Sequence, residues 1–319
     1  MHPTRFNPPS RPAQILLDTD MATDCDDAGA LAVLHALADS GEAEVRAVVV
    51  NNKDAASAGA VAAINAFYGR GDIPLGIYQG DAVGIAAGHF VQTLAADARL
   101  YGHEVRSRAD IPSATSVYRK TLASLGDGLA VIVSIGHLNN LLDLLGSGPD
   151  VHSPLSGPEL VRKKVAHIVM MGGDYPSGRE HNFFARGSDA VTAAVLKTWP
   201  TPILFSGYTL GLAVKTGLKL TALPVDHPVR RAYALHGSEP LKNGRPSWDQ
   251  TAVLAAVRGP APFWKLGPAG WNHATADGAN HWEAEPHAPH AYLVENAPPA
   301  NAATEIESLM LAAGTSRNP

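Results

Sequence analysis

Short runs rich in Val, Ile and Leu alternate along this chain with longer stretches of helical pattern, and that order leaves few folds open. The runs fall at residues 13–18, 45–50, 73–78, 129–135, 165–171 and 202–206. They carry little polar alternation, which marks strands buried on both faces. Helical patterns lie between them at 28–38, 55–68, 114–125, 138–145 and 189–198. A βαβα order of this kind predicts an α/β fold, Rossmann-like, with a mostly parallel central sheet and helices on both faces. The remaining third predicts a helix starting near Trp248, a strand at 291–294 and a helix at 302–312. Residues 146–158 and 237–247 read as surface loops, and 259–289 as irregular. With 319 residues and no clear linker or repeat, one domain spanning 1–319 is expected.

Composition narrows the function classes. Apolar residues make up 45% and charged residues 17%, the balance of an ordinary globular protein. The net charge is -5 and no basic stripe appears, which argues against a nucleic acid or a membrane surface as partner. Cys25 is the only cysteine, so no intrachain disulfide framework exists. Residues 1–12 are polar and Pro-rich, with no apolar core of a signal peptide, and a cytoplasmic location is expected.

In open α/β sheets, ligands bind beyond the carboxyl ends of the strands. The unusual residues gather there. Five aspartates (Asp18, Asp20, Asp24, Asp26 and Asp27) fall within ten residues, beginning at the last residue of the first run. Asn51 and Asn52 follow the second, Ile135-Gly136-His137 the fourth, and Gly172-Gly173-Asp174 the fifth. Residues two apart on a strand face one way, so Asp18 and Asp20 are expected to converge. Asp26 and Asp27 fall at a helix start, where the helix dipole favours ionised carboxylates. So many hard oxygen donors suit Ca²⁺ or Mg²⁺. No HExxH, CxxC pair or tight histidine cluster supports zinc.

These segments together resemble the inosine–uridine-preferring nucleoside hydrolase family. Asp18-x-Asp20 followed by Asp26-Asp27 is similar to the family's DxDxxxDD turn, with a spacer two residues longer. Residues 48–52 (VVVNN) resemble its second strand, 134–140 (SIGHLNN) its TGPLTN segment, 170–173 (MMGG) its MGG strand end, and 180–183 (EHNF) its EFN motif. Trp248-Asp249 stands where the family has His-Asp. The resemblance implies a single α/β domain, one Ca²⁺ at the sugar site, hydrolysis of a nucleoside N-glycosidic bond, and a homodimer or homotetramer. It implies Asp20 as general base and metal ligand, with Asp27, Asp249 and the Ile135 carbonyl as further ligands. Asp26, Asn52, Met171, Glu180 and Asn182 would contact the ribose, Trp248 the base, and Asp18 would support the site from behind.

Trp248 marks the leaving-group side as different, since an indole N–H donates a hydrogen bond but is no practical acid. Stacking on the base, or a proton from His181 or His236, would compensate. Two other readings remain open at this level. One is a haloacid-dehalogenase-like phosphatase using Asp18-x-Asp20, with Asp174 as its downstream acid. The other is a non-catalytic, Ca²⁺-dependent ribosyl-binding protein.

Overall fold

A computed structural model describes residues 6–8, 12–80, 88–105 and 107–312. The strands are β1 (Ala13–Thr19), β2 (Ala43–Val50), β3 (Leu75–Ile77), β4 (Ala130–Ser134), β5 (Val165–Met171), β6 (Ser177–Arg179), β7 (Ile203–Ser206), β8 (Lys215–Thr216), β9 (Arg245–Pro246), β10 (Trp264–Leu266), β11 (Gly270–Ala274), β12 (Ala279–Ala284) and β13 (Ala291–Glu295). Eight of them form one sheet in the order β10-β13-β7-β5-β4-β1-β2-β3. Every neighbouring pair is parallel except the edge pair β10–β13.

The strand sequences explain why both faces are covered. Along β1, Ile15 and Leu17 enter one apolar cluster while Leu16 enters another. Val48 and Val50 of β2 and Val131 and Val133 of β4 join the first; Ala47, Val49, Ala130 and Ile132 join the second. Alternate residues point to opposite faces, so two apolar sets on one strand require a layer on each side. Helices Asp26–Asp39, Ala55–Phe67, Trp248–Arg258 and Pro299–Ala312 supply the first layer. Helices Ala114–Ser124, Asn139–Gly146, Gly157–Lys164 and Ser188–Thr198 supply the second.

The chain runs outward from β1 through β2 to β3, then returns to place β4 on the other side of β1. That reversal opens a crevice above the carboxyl ends of β1 and β4, the position at which such sheets bind ligands.

Three stretches differ from their sequence reading. Residues 237–247, expected to be a surface loop, contain the short helix Pro240–Asn243 and strand β9. The loop expected through residue 158 ends sooner, because helix Gly157–Lys164 is started by a capping box between Ser156 and Glu159. The region expected to be irregular contains β10, β11 and β12. Asp277-Gly278 closes a hairpin between β11 and β12, with Gly278 at φ +76°. Strand β6 then pairs with β12 at Ala279 and Arg179. This three-stranded sheet fixes the segment leading from β5 to Glu180. Asn280 reinforces it, donating from Nδ2 to the Asp174 carbonyl at 2.8 Å and accepting from the Asp174 amide at 2.9 Å.

Candidate active site

A cavity of about 270 Å³ lies over the crevice, close to the lower end of small-ligand sites. Strand ends and helix starts from distant parts of the chain line it. From the first turn come Asp20, Thr23, Asp24, Asp26 and Asp27. Ile135 follows β4, Met171 ends β5, and Glu180, His181 and Asn182 start a short helix. Tyr208, Arg245, Trp248 and Asp249 close the far side.

Strand β1 ends at Thr19, and this decides how the aspartates divide. Asp18 shares the parity of Leu16 and faces the second helical layer. Its carboxylate accepts from Tyr118 Oη at 2.8 Å, Asn140 Nδ2 at 3.1 Å and Asn51 Nδ2 at 3.2 Å. It is fully buried and lies outside the cavity lining. Burial pushes its pKa up to about 7 against the pull of those three donors. Asp18 and Asp20 therefore do not converge on one ligand; Asp18 braces the end of the strand from behind. Thr19, on the opposite parity, gives its hydroxyl to Asp27 and accepts from the Met21 amide at 3.1 Å.

Asp26, Asp27 and Asp249 each offer an oxygen within 4.8 Å of the others, and all three are buried. Burial pushes each well above the usual carboxylate range, and the neighbouring carboxylates push further. Two like charges at this spacing repel by on the order of 3–4 kcal/mol even in a partly polarisable interior. No lysine lines the cavity, and its one arginine is already paired. An oxygen-only donor set with unopposed charge fits a hard divalent cation, and Ca²⁺ in particular tolerates irregular carboxylate cages. Asp20 stands beside the cluster, partly exposed, and burial pushes it to about 7. His137 Nε2 lies 3.9 Å from its Oδ2, while Nδ1 of the same ring meets the Asn182 carbonyl at 3.1 Å.

The residues around the start of the short helix are held by local chemistry. Glu180 caps the short helix, accepting from the Asn182 amide at 2.8 Å and the Gly173 amide at 3.1 Å. Burial raises its pKa to about 8. Asn182 Nδ2 lies 3.3 Å from Met171 Sδ. Asn52 is placed differently from its sequence reading. Its side chain is buried outside the cavity lining, donating to the carbonyls of Asp20 and Met21 at 3.3 Å each and accepting from the Asp54 amide at 3.0 Å. It ties β2 to the aspartate turn, and both ends of its amide are committed.

Trp248 also differs from a free stacking surface. Its indole N–H donates to the Tyr208 carbonyl at 3.0 Å, and its ring stacks on Tyr208 at 5.5 Å. The Arg245 guanidinium lies 5.2 Å from the ring centroid. Arg245 in turn grips Asp24, through Nε at 2.9 Å and through Nη2. Burial works against ionisation of Asp24, but these bonds hold its pKa below the ordinary value. His236 Nε2 lies 3.6 Å from the same carboxylate, outside the lining. Sequence reasoning missed the Asp24–Arg245 pair, since the two are 221 residues apart. The only signal was an aspartate within a lengthened turn. Cys25 is buried and its thiol is pushed well up, which leaves no thiolate for chemistry. Trp271 and Trp282 stay away from the cavity: one donates to Glu285, the other meets Tyr175, Phe205 and Tyr292.

No protein-family model matches the chain, and no curated protein matches it in sequence. Solved structures match it over nearly its whole length. An inosine–uridine preferring nucleoside hydrolase from Bacillus anthracis superposes with TM-score 0.70 at 15% identity, covering 96% of this chain and 100% of that one. The fold is that of the nucleoside hydrolases. The plant nucleoside hydrolase PpNRh1 matches with TM-score 0.68 at 17% identity, covering 96% and 100% of the two chains. The type III effector XopQ, solved with adenosine diphosphate ribose, matches with TM-score 0.66 at 17% identity, covering 97% and 96%. Within this nucleoside hydrolase fold the chain is a single α/β domain with a mostly parallel sheet. Among the described residues no helix is long and apolar enough to cross a membrane.

The crowded carboxylates give a pH prediction for the metal-free protein. Asp18 and Asp20 have folded pKa values near 7, and Glu180 near 8, all above their unfolded values. The folded state thus holds more protons than the unfolded one between about pH 4 and 8. Stability from these groups is full below pH 4, is lost progressively as pH rises, and is gone once pH passes the folded values of about 7 to 8. Thermal midpoints in chelator are expected to fall across that window, and excess Ca²⁺ to flatten the fall. A midpoint that rises from pH 5 to 8 in chelator would contradict this account.

Proposed function

We propose that the protein hydrolyses the N-glycosidic bond of a ribonucleoside, releasing free base and ribose, with Ca²⁺ at the carboxylate cluster. The observation that carries this reading is the cluster itself: Asp26, Asp27 and Asp249 meet at the crevice, next to Asp20, on a nucleoside hydrolase fold. Asp20, Asp27, Asp249 and the Ile135 carbonyl would hold the ion. Its chemistry there is to fix ribose hydroxyls and raise the acidity of a water.

The chain's own residues then divide the work. Asp20 accepts the proton of the water that attacks the anomeric carbon. Asp26, Glu180 and Asn182 orient the sugar, with Met171 beside them, which removes part of the entropic barrier. The carboxylates favour the positive charge that develops on the sugar. Asn52 acts indirectly, by holding the turn that carries Asp20. We assign the enzyme as an N-glycosyl hydrolase of nucleoside salvage type, cytoplasmic, and a homodimer or homotetramer.

The phosphatase reading loses its support in the geometry. Asp174 is spent on Thr209, accepting from its Oγ1 at 2.7 Å and its amide at 3.1 Å, and no lysine reaches the cavity. The ribosyl-binding reading keeps one observation in its favour, the tryptophan in the leaving-group position. A panel separates the two. Inosine, adenosine, guanosine, uridine and cytidine are assayed for base release with Ca²⁺, and adenosine diphosphate ribose is added as a binding probe. Release of base from at least one nucleoside is expected. Thermal stabilisation by a ribosyl compound with no release from any would replace the enzyme with a binding protein.

A further inference from the structure

The cavity wall beyond the sugar residues contains a cation with unused donors. Arg245 begins β9, shortly before Trp248, where it pairs with Thr216 of β8. A guanidinium has five N–H donors in a planar fork. Two of them serve Asp24, from Nε and Nη2. Nη1 has no acceptor among the described residues, and the side chain lines the cavity. The stacked pair Trp248–Tyr208 supports the guanidinium from the side, and the Trp248 N–H is already given to a carbonyl. The tryptophan therefore has no proton to offer a departing group, whereas the arginine beside it has donors to spare.

Resting on the proposed nucleoside hydrolysis, we propose that Arg245 is a catalytic residue for the leaving group, its Nη1 donating to the departing ring of an aglycone that leaves as an anion. The water oxygen bonds to the anomeric carbon and its proton passes to Asp20. The C–N bond breaks, and its electron pair stays on the ring nitrogen. The guanidinium holds that anion by directional hydrogen bonds and keeps its own protons. The released base takes a proton from solvent, and Asp20 returns its own, so one water is consumed for each bond broken. Because Arg245 and Asp24 together are neutral, the effect comes from oriented donors more than from net charge. Asp24 is a positioning residue. It sits in the lengthened spacer, so the longer turn reaches Trp248 through the Asp24–Arg245 ion pair, whose guanidinium lies against the indole. Neutral heteroaromatic aglycones such as purines and pyrimidines suit this arrangement. A pyridinium riboside, whose ring leaves uncharged, gains nothing from it.

The test compares wild type, R245Q and R245K on inosine, uridine and 4-nitrophenyl β-ribofuranoside, whose weakly basic nitrophenolate draws far less on a hydrogen-bond donor as it leaves. On the better nucleoside, R245Q is expected to lose about 100-fold in kcat, the scale of one removed anion-stabilising donor. Its loss on the nitrophenyl compound is expected to be at least about tenfold smaller. R245K keeps the charge without the fork and should fall between. Equal losses on both substrate types, or no loss on the nucleoside, overturn the proposal. So does wild type that cleaves only the nitrophenyl compound, or a nucleoside-specific loss seen in H181Q and absent from R245Q. Wild type that cleaves neither overturns the underlying enzyme reading instead, which keeps the two failures apart.

Discussion

Asp20→Asn is expected to lower kcat by about 10³- to 10⁴-fold while leaving the melting temperature within a few degrees of wild type. Asparagine keeps the shape of the side chain and removes its ability to accept a proton. Asp20 is the one carboxylate of the turn that is both partly exposed to the cavity and free of a strong donor partner. Asp18 is held by three donors and Asp24 by an arginine, so neither can take this role. Single-turnover base release, with circular dichroism to confirm the fold, makes the measurement. An undiminished rate in a folded D20N protein would remove Asp20 from the mechanism.

The second large effect concerns the cation. Chelation is expected to abolish base release, and added Ca²⁺ to restore it and raise the thermal midpoint. Asp249→Asn separates the two parts of this claim. It removes one ligand, so Ca²⁺ affinity by calorimetry should fall by at least about 100-fold. It also removes one of three mutually repelling carboxylates, so the metal-free variant should melt several degrees above metal-free wild type. Activity and apo-stability then move in opposite directions. A variant that loses both would mean that Asp249 serves the fold, and not a cation.

Much of this was legible in the sequence because the signals were local. Double-sided apolar runs at 13–18, 45–50 and 165–171 predict a covered parallel sheet, and the structure forms one. The aspartate turn carries its own density of charge. What escaped was set by distance or by competing signals. The Asp24–Arg245 pair spans 221 residues, and no local pattern reports it. Asn52 looks like a ligand residue at a strand end until its amide is seen to be consumed by the Asp20 and Met21 carbonyls. Helix Gly157–Lys164 announced itself by Ser156-x-x-Glu159, but Gly and Pro in that stretch outweighed the cap in a reading by composition. Strands β11 and β12 are rich in Asn, His and Trp, so their alternation is hidden, although Asp277-Gly278 marked the turn between them.

The Asp26–Asp249 contact closes a span of 223 residues, and the segment leading to Glu180 is held by β6, which pairs with β12 about a hundred residues later. Loops this long are entropically costly to close, and like charges oppose the last step. The carboxylate cluster therefore needs both ends of the chain in place, and it is complete only when helix Trp248–Arg258 packs against helix Asp26–Asp39. A nascent or clipped chain with most of its core in place would still present a crevice without its floor. A cation held by Asp26, Asp27 and Asp249 would require the C-terminal third to have docked, so metal affinity is expected to report finished folding.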